Sequence, residues 1–238
     1  MVILSKKRLG IILSAIFISL FAFSFKIAEY KNTIETVSLP VSNKVIVLDA
    51  RTSENLMNGA ESSNGTTEAE TNLKITLKVQ NLLEQSGATV ILTRSDENSI
   101  YDLDKTTLRQ KKISDIRNRV KIGNESSADI FVSIHLNKIP QNQYYGWQCF
   151  YKQNDEKSMM LAKLLQENLN DSIQKENKRV AMKLDTVYIM KHIEIPISIV
   201  ECGFLSNLEE EKLLLDDAYQ NKLAWGIYNG IMDFFYQQ

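Results

Sequence analysis

Four short apolar runs, Val45–Leu48, Thr89–Leu92, Ile130–Ile134 and Ile197–Val200, are rich in β-branched residues and broken by nothing larger than Ser or Thr. Apolar residues at both strand parities leave no face for water, so each run reads as a strand covered on both sides. Between the runs the spacing becomes helical. Leu73, Leu77, Val79, Leu82 and Leu83 recur largely at three- and four-residue intervals and stop at Gly87, a suitable helix terminator. Ile113, Ile116 and Val120 mark a second helix, Leu161, Leu164, Leu165 and Leu169 a third, and Leu223, Ile227 and Ile231 a terminal one. This alternation predicts a three-layer α/β/α sandwich around a twisted, mostly parallel sheet.

The amino terminus follows a different rule. Lys6, Lys7 and Arg8 precede an uncharged, mostly apolar stretch, Leu9–Phe25, which as a helix of about 17 residues would extend about 25 Å. Residues 1–25 therefore read as a membrane anchor or signal segment. An uncleaved anchor is the better match, because the small-residue match Ala22-Phe23-Ser24 lies inside the apolar run. The positive flank keeps the terminus cytoplasmic and sends the rest across the membrane. Residues 26–43, polar and aperiodic with Pro40 near the end, read as a linker, and residues 44–238 as one domain of about 195 residues. With a formal net charge of −1 and a pI near 6.2, no broad positive field exists to hold nucleic acid. The two cysteines, Cys149 and Cys202, fit no metal-ligand spacing.

In open α/β sheets, reactive groups gather beyond the carboxyl ends of the strands. Six polar residues fall there or at helix starts: Asp49, Glu68, Arg94, His135, Asn137 and Glu201. His135 is one of two histidines and closes the Ile130 run. Glu68 heads the first helix of the domain, where a carboxylate also favours the positive end of the helix dipole. Glu201 directly follows Val200, where an unpaired carboxylate would be costly to bury. A carboxylate so placed is usually paired, metal-bound or poised as a general base. A histidine nitrogen and a carboxylate oxygen suit Zn²⁺, with a second carboxylate free to take a proton from water.

Ser133-Ile134-His135-Leu136-Asn137, preceded by Ala128-Asp129, and Val200-Glu201-Cys202-Gly203-Phe204-Leu205-Ser206-Asn207 closely resemble the zinc-dependent N-acetylmuramoyl-L-alanine amidases of bacterial cell walls. The resemblance spans about Val45 to Phe235 and includes Gly65-Thr66-Thr67-Glu68, Thr93-Arg94 and the stretch from Arg119 to Asn124. It implies that Glu68 and His135 are zinc ligands, that Glu201 is the catalytic acid/base, and that 44–238 is an amidase-like catalytic domain. The substrate implied is the amide joining N-acetylmuramic acid to L-alanine in peptidoglycan. The small size, single domain and anchor look most like the spore-cortex type of sporulating Gram-positive bacteria, the type linked to muramic-lactam formation. That places the chain on the extracytoplasmic face, in the forespore or cortex compartment, with an accessory protein as a further partner.

One part of the pattern is missing. The family carries another histidine in an Asp-x-Gly-His-Gly motif after the first strand; here Asp49-Ala50 is followed by Arg51-Thr52-Ser53-Glu54-Asn55-Leu56-Met57-Asn58, with Thr52 in the ligand's place. A neutral hydroxyl is a poor zinc ligand, so metal affinity and activity should both fall. His192, in Met190-Lys191-His192-Ile193, is a candidate replacement, although a surface role is the commoner one for such a residue. Arg94 and Arg119 read as structural ion-pair partners, with a substrate carboxylate or sugar substituent as the competing use. Tyr144, Tyr145 and Trp147 either line a glycan groove or cover an edge strand, and Met159 and Met160 read as core.

Two other functions are compatible with these residues: a cysteine hydrolase pairing Cys202 with His135, and a membrane-anchored relative that binds peptidoglycan or a partner without cleaving it. One permitted codon set for Arg51–Gly59, stripped of three separated bases, reads Gly-His-Gly-Lys-Pro-Asp-Glu-Gly, so the favoured hypothesis is small compensating frameshifts, by sequencing error or gene decay, rather than a redesigned loop. Resequencing the gene across Asp49–Ala60 tests this; codons incompatible with the reconstruction would exclude it.

Overall fold

The computed structural model describes residues 6–31, 38–52 and 68–238, and within the first helix the side chains of Lys7, Arg8 and residues 10–24. It forms two compact units, Met1–Ser38 and Leu39–Gln238. The first contains α1 (Lys6–Lys31), whose helical hydrogen bonding runs into the stretch read as a linker. The described apolar side chains of α1 are exposed. Among the described residues, no helix is long and apolar enough to cross a membrane.

The second unit runs β1 (Val45–Ala50), α2 (Glu68–Gln85), β2 (Thr89–Leu92), α3 (Leu108–Glu125), β3 (Ile130–Asn137), β4 (Gln148–Tyr151), α4 (Glu156–Ile173), β5 (Met182–Lys183), α5 (Tyr188–His192), β6 (Ile197–Phe204), α6 (Leu208–Leu215) and α7 (Asp217–Tyr236). All four apolar runs are strands, and all four helical patterns are helices. The sheet order is β2-β1-β3-β6-β4-β5. The four runs form its parallel part, while β4 lies antiparallel to β6. Both β3 and β6 extend past the apolar runs, so His135 and Glu201 lie within strands rather than just after them.

Strand alternation divides the core into two. Ile46, Leu48, Ile130, Val132, Ile134, Val200 and Cys202 face α2, α4 and α7, whose Ile75, Val79, Leu83, Leu161, Leu165, Leu169, Leu223, Ile227 and Ile231 close over them. Val47, Phe131, Ile197 and Ile199 face the other way, under Val120 of α3 and Ile189, Met190 and Ile193 at α5. The three layers are thus those expected, for the reason expected: both faces of the central strands are apolar. Val41, inside the stretch read as a linker, is fully buried in the larger core, so the compact unit starts at Leu39.

Helix ends follow local chemistry. Thr107 and Gln110 form a reciprocal capping box at the start of α3, and Gly87 takes φ +86° just past α2. The two long helices of the larger core meet through glycines: a Cβ on Gly230 would lie 2.7 Å from the Leu165 Cα, and one on Gly226 2.9 Å from the Leu169 Cα. Because those neighbours are backbone atoms, they cannot rotate aside. Gly230→Ala should therefore lower stability by about 1–3 kcal/mol through overpacking, measured as a reduced urea midpoint; an unchanged midpoint would show that α4 and α7 can separate freely.

Candidate active site

Strand register brings three side chains to one row at the carboxyl edge of the sheet. His135 pairs with Glu201, and the Arg51 amide donates to the Ile134 carbonyl at 3.2 Å, so Arg51 lies level with both. In parallel pairing, residues in one row share a face. Two residues back, Asp49 pairs with Ser133 on the same face, the one covered by α3. Glu68 comes from the first turn of α2 and is buried, with Asn72 Nδ2 donating to its Oε1 at 3.4 Å and to the Arg51 carbonyl at 3.1 Å. The register of β3 on β6 shifts by one residue just after His135, and pairing resumes at Asn137 opposite Phe204.

His135 is buried, its Nε2 2.7 Å from Ser133 Oγ and its Nδ1 3.6 Å from Glu201 Oε1. The latter contact is an ion pair only if the ring is protonated. Burial first, then the charges of Arg51 and Arg119, hold the ring well below the usual histidine range, with Asp49 opposing. Glu201 moves in the other direction, up to about 8, through burial and the charge of Glu68, with Arg51 opposing. At neutral pH both partners are therefore mostly neutral, and 3.6 Å is long for a hydrogen bond. Glu201 Oε2 is buried and has no hydrogen-bond partner among the described residues. Carboxyl groups of this kind, raised by burial and a like charge, are typical of proton-handling sites.

Around this row lies a buried polar network whose sequence signals were weak. Arg119 donates to Asp49 Oδ1 through Nη1 and to Asp115 Oδ2 through Nε at 2.8 Å. Asp49 also accepts from Thr93 Oγ1 at 2.6 Å and Ser133 Oγ at 2.5 Å. Arg119 is thus the ion-pair partner read from the sequence, and its burial leaves no fork for substrate. Arg94 differs: it donates to the carbonyls of Ala50, Arg51, Ala69 and Asp96, fastening the end of β1 to the start of α2. Asp115, Thr93 and Ser133 were not singled out in the sequence, because Ser and Thr interrupt strands commonly and nothing pairs Asp115 with Asp49 until α3 packs on the sheet.

Several sequence readings are corrected. Cys202 follows Glu201 on a strand and so points to the opposite face, into the larger core; burial and the charge of Glu201 push its thiol up, which removes the Cys202–His135 hydrolase reading. His192 is exposed, stacks on Tyr188 with ring centroids 3.8 Å apart, and its Nδ1 lies 2.8 Å from the Tyr188 carbonyl. Its own carbonyl accepts from Asn124 near the carboxyl end of α3, and among the described residues it joins no group of three that could hold a metal. Trp147 is fully buried before β4, while Tyr144 and Tyr145 are exposed. Met159 and Met160 are only half-buried. Asn137 contributes its carbonyl, which accepts from the Leu205 amide at 2.8 Å.

Among the described residues, the donors for a metal are incomplete. Thr52 is described and buried, but its hydroxyl accepts from Arg119 Nη2 at 3.1 Å and lies 3.4 Å from Asp115 Oδ2, so it belongs to the network behind the row. Ser53 to Thr67, including most of the departing loop and Gly65-Thr66-Thr67, lie outside the described residues. Among the described residues, no group of three or more His, Cys, Asp or Glu side chains is arranged to hold a metal ion. Catalytic zinc takes three protein ligands as a rule. Glu68 and His135 with a committed threonine and a guanidinium beside them do not meet that requirement.

Comparison with known proteins is consistent with the geometry. A family model described as N-acetylmuramoyl-L-alanine amidase matches residues 46–233. The germination-specific N-acetylmuramoyl-L-alanine amidase of Bacillus subtilis (strain 168) is 32% identical over 218 residues, covering 92% of this chain and 90% of that protein. The CwlD amidase of Clostridioides difficile, solved in complex with the GerS lipoprotein, is 44% identical with a TM-score of 0.78, over 82% of this chain and 100% of that one. The catalytic domain of the amidase CwlV from Bacillus (Paenibacillus) polymyxa var. colistinus is 27% identical with a TM-score of 0.67, over 82% and 99% of the two chains.

The Asp49 network should be visible in acid. Burial pushes the Asp49 carboxyl up, but Arg119, Ser133, Thr93 and His135 together pull it down to about 2 from 3.8. A lowered folded value stabilises above the unfolded value, near pH 4, and the contribution is lost as pH falls through about 2. It amounts to about 2 kcal/mol. Asp49→Asn should remove that part of the acid dependence and cost about 3–5 kcal/mol by leaving Arg119 without this partner. Urea unfolding of both forms from pH 5 to pH 2 checks this; an unchanged pH slope in the variant would exclude Asp49 as the group responsible.

Proposed function

Because the chain belongs to the N-acetylmuramoyl-L-alanine amidase family, hydrolases of peptidoglycan, we propose that its row of His135 and Glu201, with Glu68 above it, is where the amide between the muramic lactyl group and L-alanine is cleaved. The observation that carries this reading is Glu201: a largely buried carboxyl raised to about 8, whose Oε2 has no partner among the described residues. In its ionised form Glu201 accepts a proton from water as the water oxygen bonds to the amide carbon. It then passes that proton to the nitrogen as the carbon–nitrogen bond breaks, releasing the amine of L-alanine. The positive charge of Arg51 favours the ionised carboxylate.

The family is zinc-dependent as a rule, and Glu68 and His135 are the positions we assign to zinc ligands. With Thr52 in the third place the donor set is incomplete, so the chain as written should bind zinc weakly and turn over slowly. No proton step above depends on the metal.

We further assign the chain a role in the spore cortex, supported by its likeness to a germination-specific amidase and to the CwlD amidase. The solved complex of that CwlD amidase with the GerS lipoprotein supports an accessory protein as a partner here. The apolar, exposed side chains of α1 support a role for the first 25 residues in holding the enzyme at the extracytoplasmic face of the membrane, with residues 26–38 as the tether. A non-cleaving, peptidoglycan-binding role remains the second reading, favoured by one observation: the commitment of Thr52 to Arg119.

Two measurements test this. Glu201→Gln should lower the rate of muropeptide amine release from purified wall by about 10²- to 10⁴-fold; unaltered release would exclude Glu201 as the base. Thr52→His should raise both bound zinc, measured by elemental analysis, and amine release. If the unaltered chain already matches the variant in both, a replacement ligand exists; if neither form binds zinc, the assignment of Glu68 and His135 is wrong.

A further inference from the structure

We infer that Ser133, Asp49 and Arg119 form a relay that fixes His135 as its Nε2–H tautomer, leaving Nδ1 as the lone-pair nitrogen toward Glu201; Ser133 and Asp49 are therefore positioning residues of the site. The argument is a count of protons. Arg119 can only donate, and its Nη1 donates to Asp49 Oδ1 and, at 3.2 Å, to Thr93 Oγ1. Having accepted from Arg119, Thr93 places its own proton on Asp49 Oδ1 at 2.6 Å. The remaining oxygen, Asp49 Oδ2, faces Ser133 Oγ at 2.5 Å. An ionised carboxylate offers no proton, so the single proton of Ser133 lies on the Asp49 side of its oxygen.

Ser133 Oγ then presents only lone pairs to His135, 2.7 Å away at Nε2. A contact that short between a hydroxyl oxygen and a ring nitrogen requires a hydrogen between them, so Nε2 carries it. The reverse arrangement, with Ser133 donating to the ring, would need Asp49 to be protonated beside Arg119, or two buried lone pairs to face each other. The buried pairing of Asp49 with Arg119 keeps the carboxylate ionised and supports the first arrangement. Nδ1, 3.6 Å from Glu201 Oε1, is then free to accept from a water, a protonated carboxyl or a cation in the cleft.

Histidines that act through one nitrogen are commonly held by a carboxylate on the other, and the partner sets which nitrogen is free. Here a serine stands between ring and carboxylate. The relay also reaches outward, since Arg119 donates to Thr52 and Asp115. The ring proton is thereby tied to the loop after β1 and to α3, as well as to its own strand.

The inference rests on the functional reading only in treating His135 as part of the site, and its test reads the resting chain without substrate. The full chain, metal-stripped in detergent, is labelled with ¹⁵N-histidine. With two histidines in the sequence, His192→Gln isolates the His135 signals. A pyrrole-type Nε2 bearing the proton and a pyridine-type Nδ1 are expected. Ser133→Ala should move Nδ1 away from the pyridine-type limit and lower amine release about 10- to 100-fold, while Ser133→Thr, which keeps the hydroxyl, retains the original pattern. A proton on Nδ1 in the unaltered chain overturns the inference, as does an unchanged ring spectrum in a folded Ser133→Ala. If Ser133→Ala does not fold, the unaltered chain still decides it. Loss of the amidase reading would show instead as absent amine release with the expected ring spectrum intact.

Discussion

The buried pairing of Arg119 with Asp49 is the contact on which the rest of this site depends. A guanidinium and a carboxylate both withdrawn from water are costly unless every donor and acceptor is matched. Here Thr93, Ser133, Asp115, Thr52 and the Ala50 carbonyl complete the matching. Those partners come from β2, β3, α3 and the end of β1. One ion pair therefore fastens a helix across three neighbouring strands, just below the row that holds His135 and Glu201. Removing Arg119 leaves two buried carboxylates without their shared countercharge, and removing Asp49 leaves Arg119 with Asp115 alone, so the pair sets the geometry of the edge more than it adds net stability.

Much of the fold was legible because its signals are local. Runs such as Ile130–Ile134 and the leucine spacing of α2 report burial on both faces and on one face, respectively, without reference to distant residues. What stayed hidden was non-local or short. β4 and β5 are brief, and Trp147, read as an edge cover, is buried by the packing of β4 under α4. α6 is a single eight-residue helix whose Asn207 cap is clear only once its hydrogen bonds to the Glu209 and Glu210 amides are seen.

The site divides in the same way. Glu68, His135 and Glu201 stood out because charged or imidazole side chains beside apolar runs need an explanation. His135 and Glu201 do fall in one row, and the charge of Glu68 acts on Glu201. Ser133 and Thr93 did not stand out, since hydroxyls are ordinary strand residues. Arg51 was quoted only as part of a loop that departs from a motif, yet its charge acts on both His135 and Glu201. Cys202 failed as a nucleophile through strand parity alone, one residue being enough to move a side chain from the site to the core.

The pairing of β1 with β3 ends at Ala50 opposite Ile134. A one-residue slip within β3 or β6 would carry His135 or Glu201 to the wrong face. Thr52, two residues past that pairing, is held instead by side-chain contacts with Arg119 and Asp115. What stands at that position is thus tied to the buried ion-pair network rather than to the strand ladder.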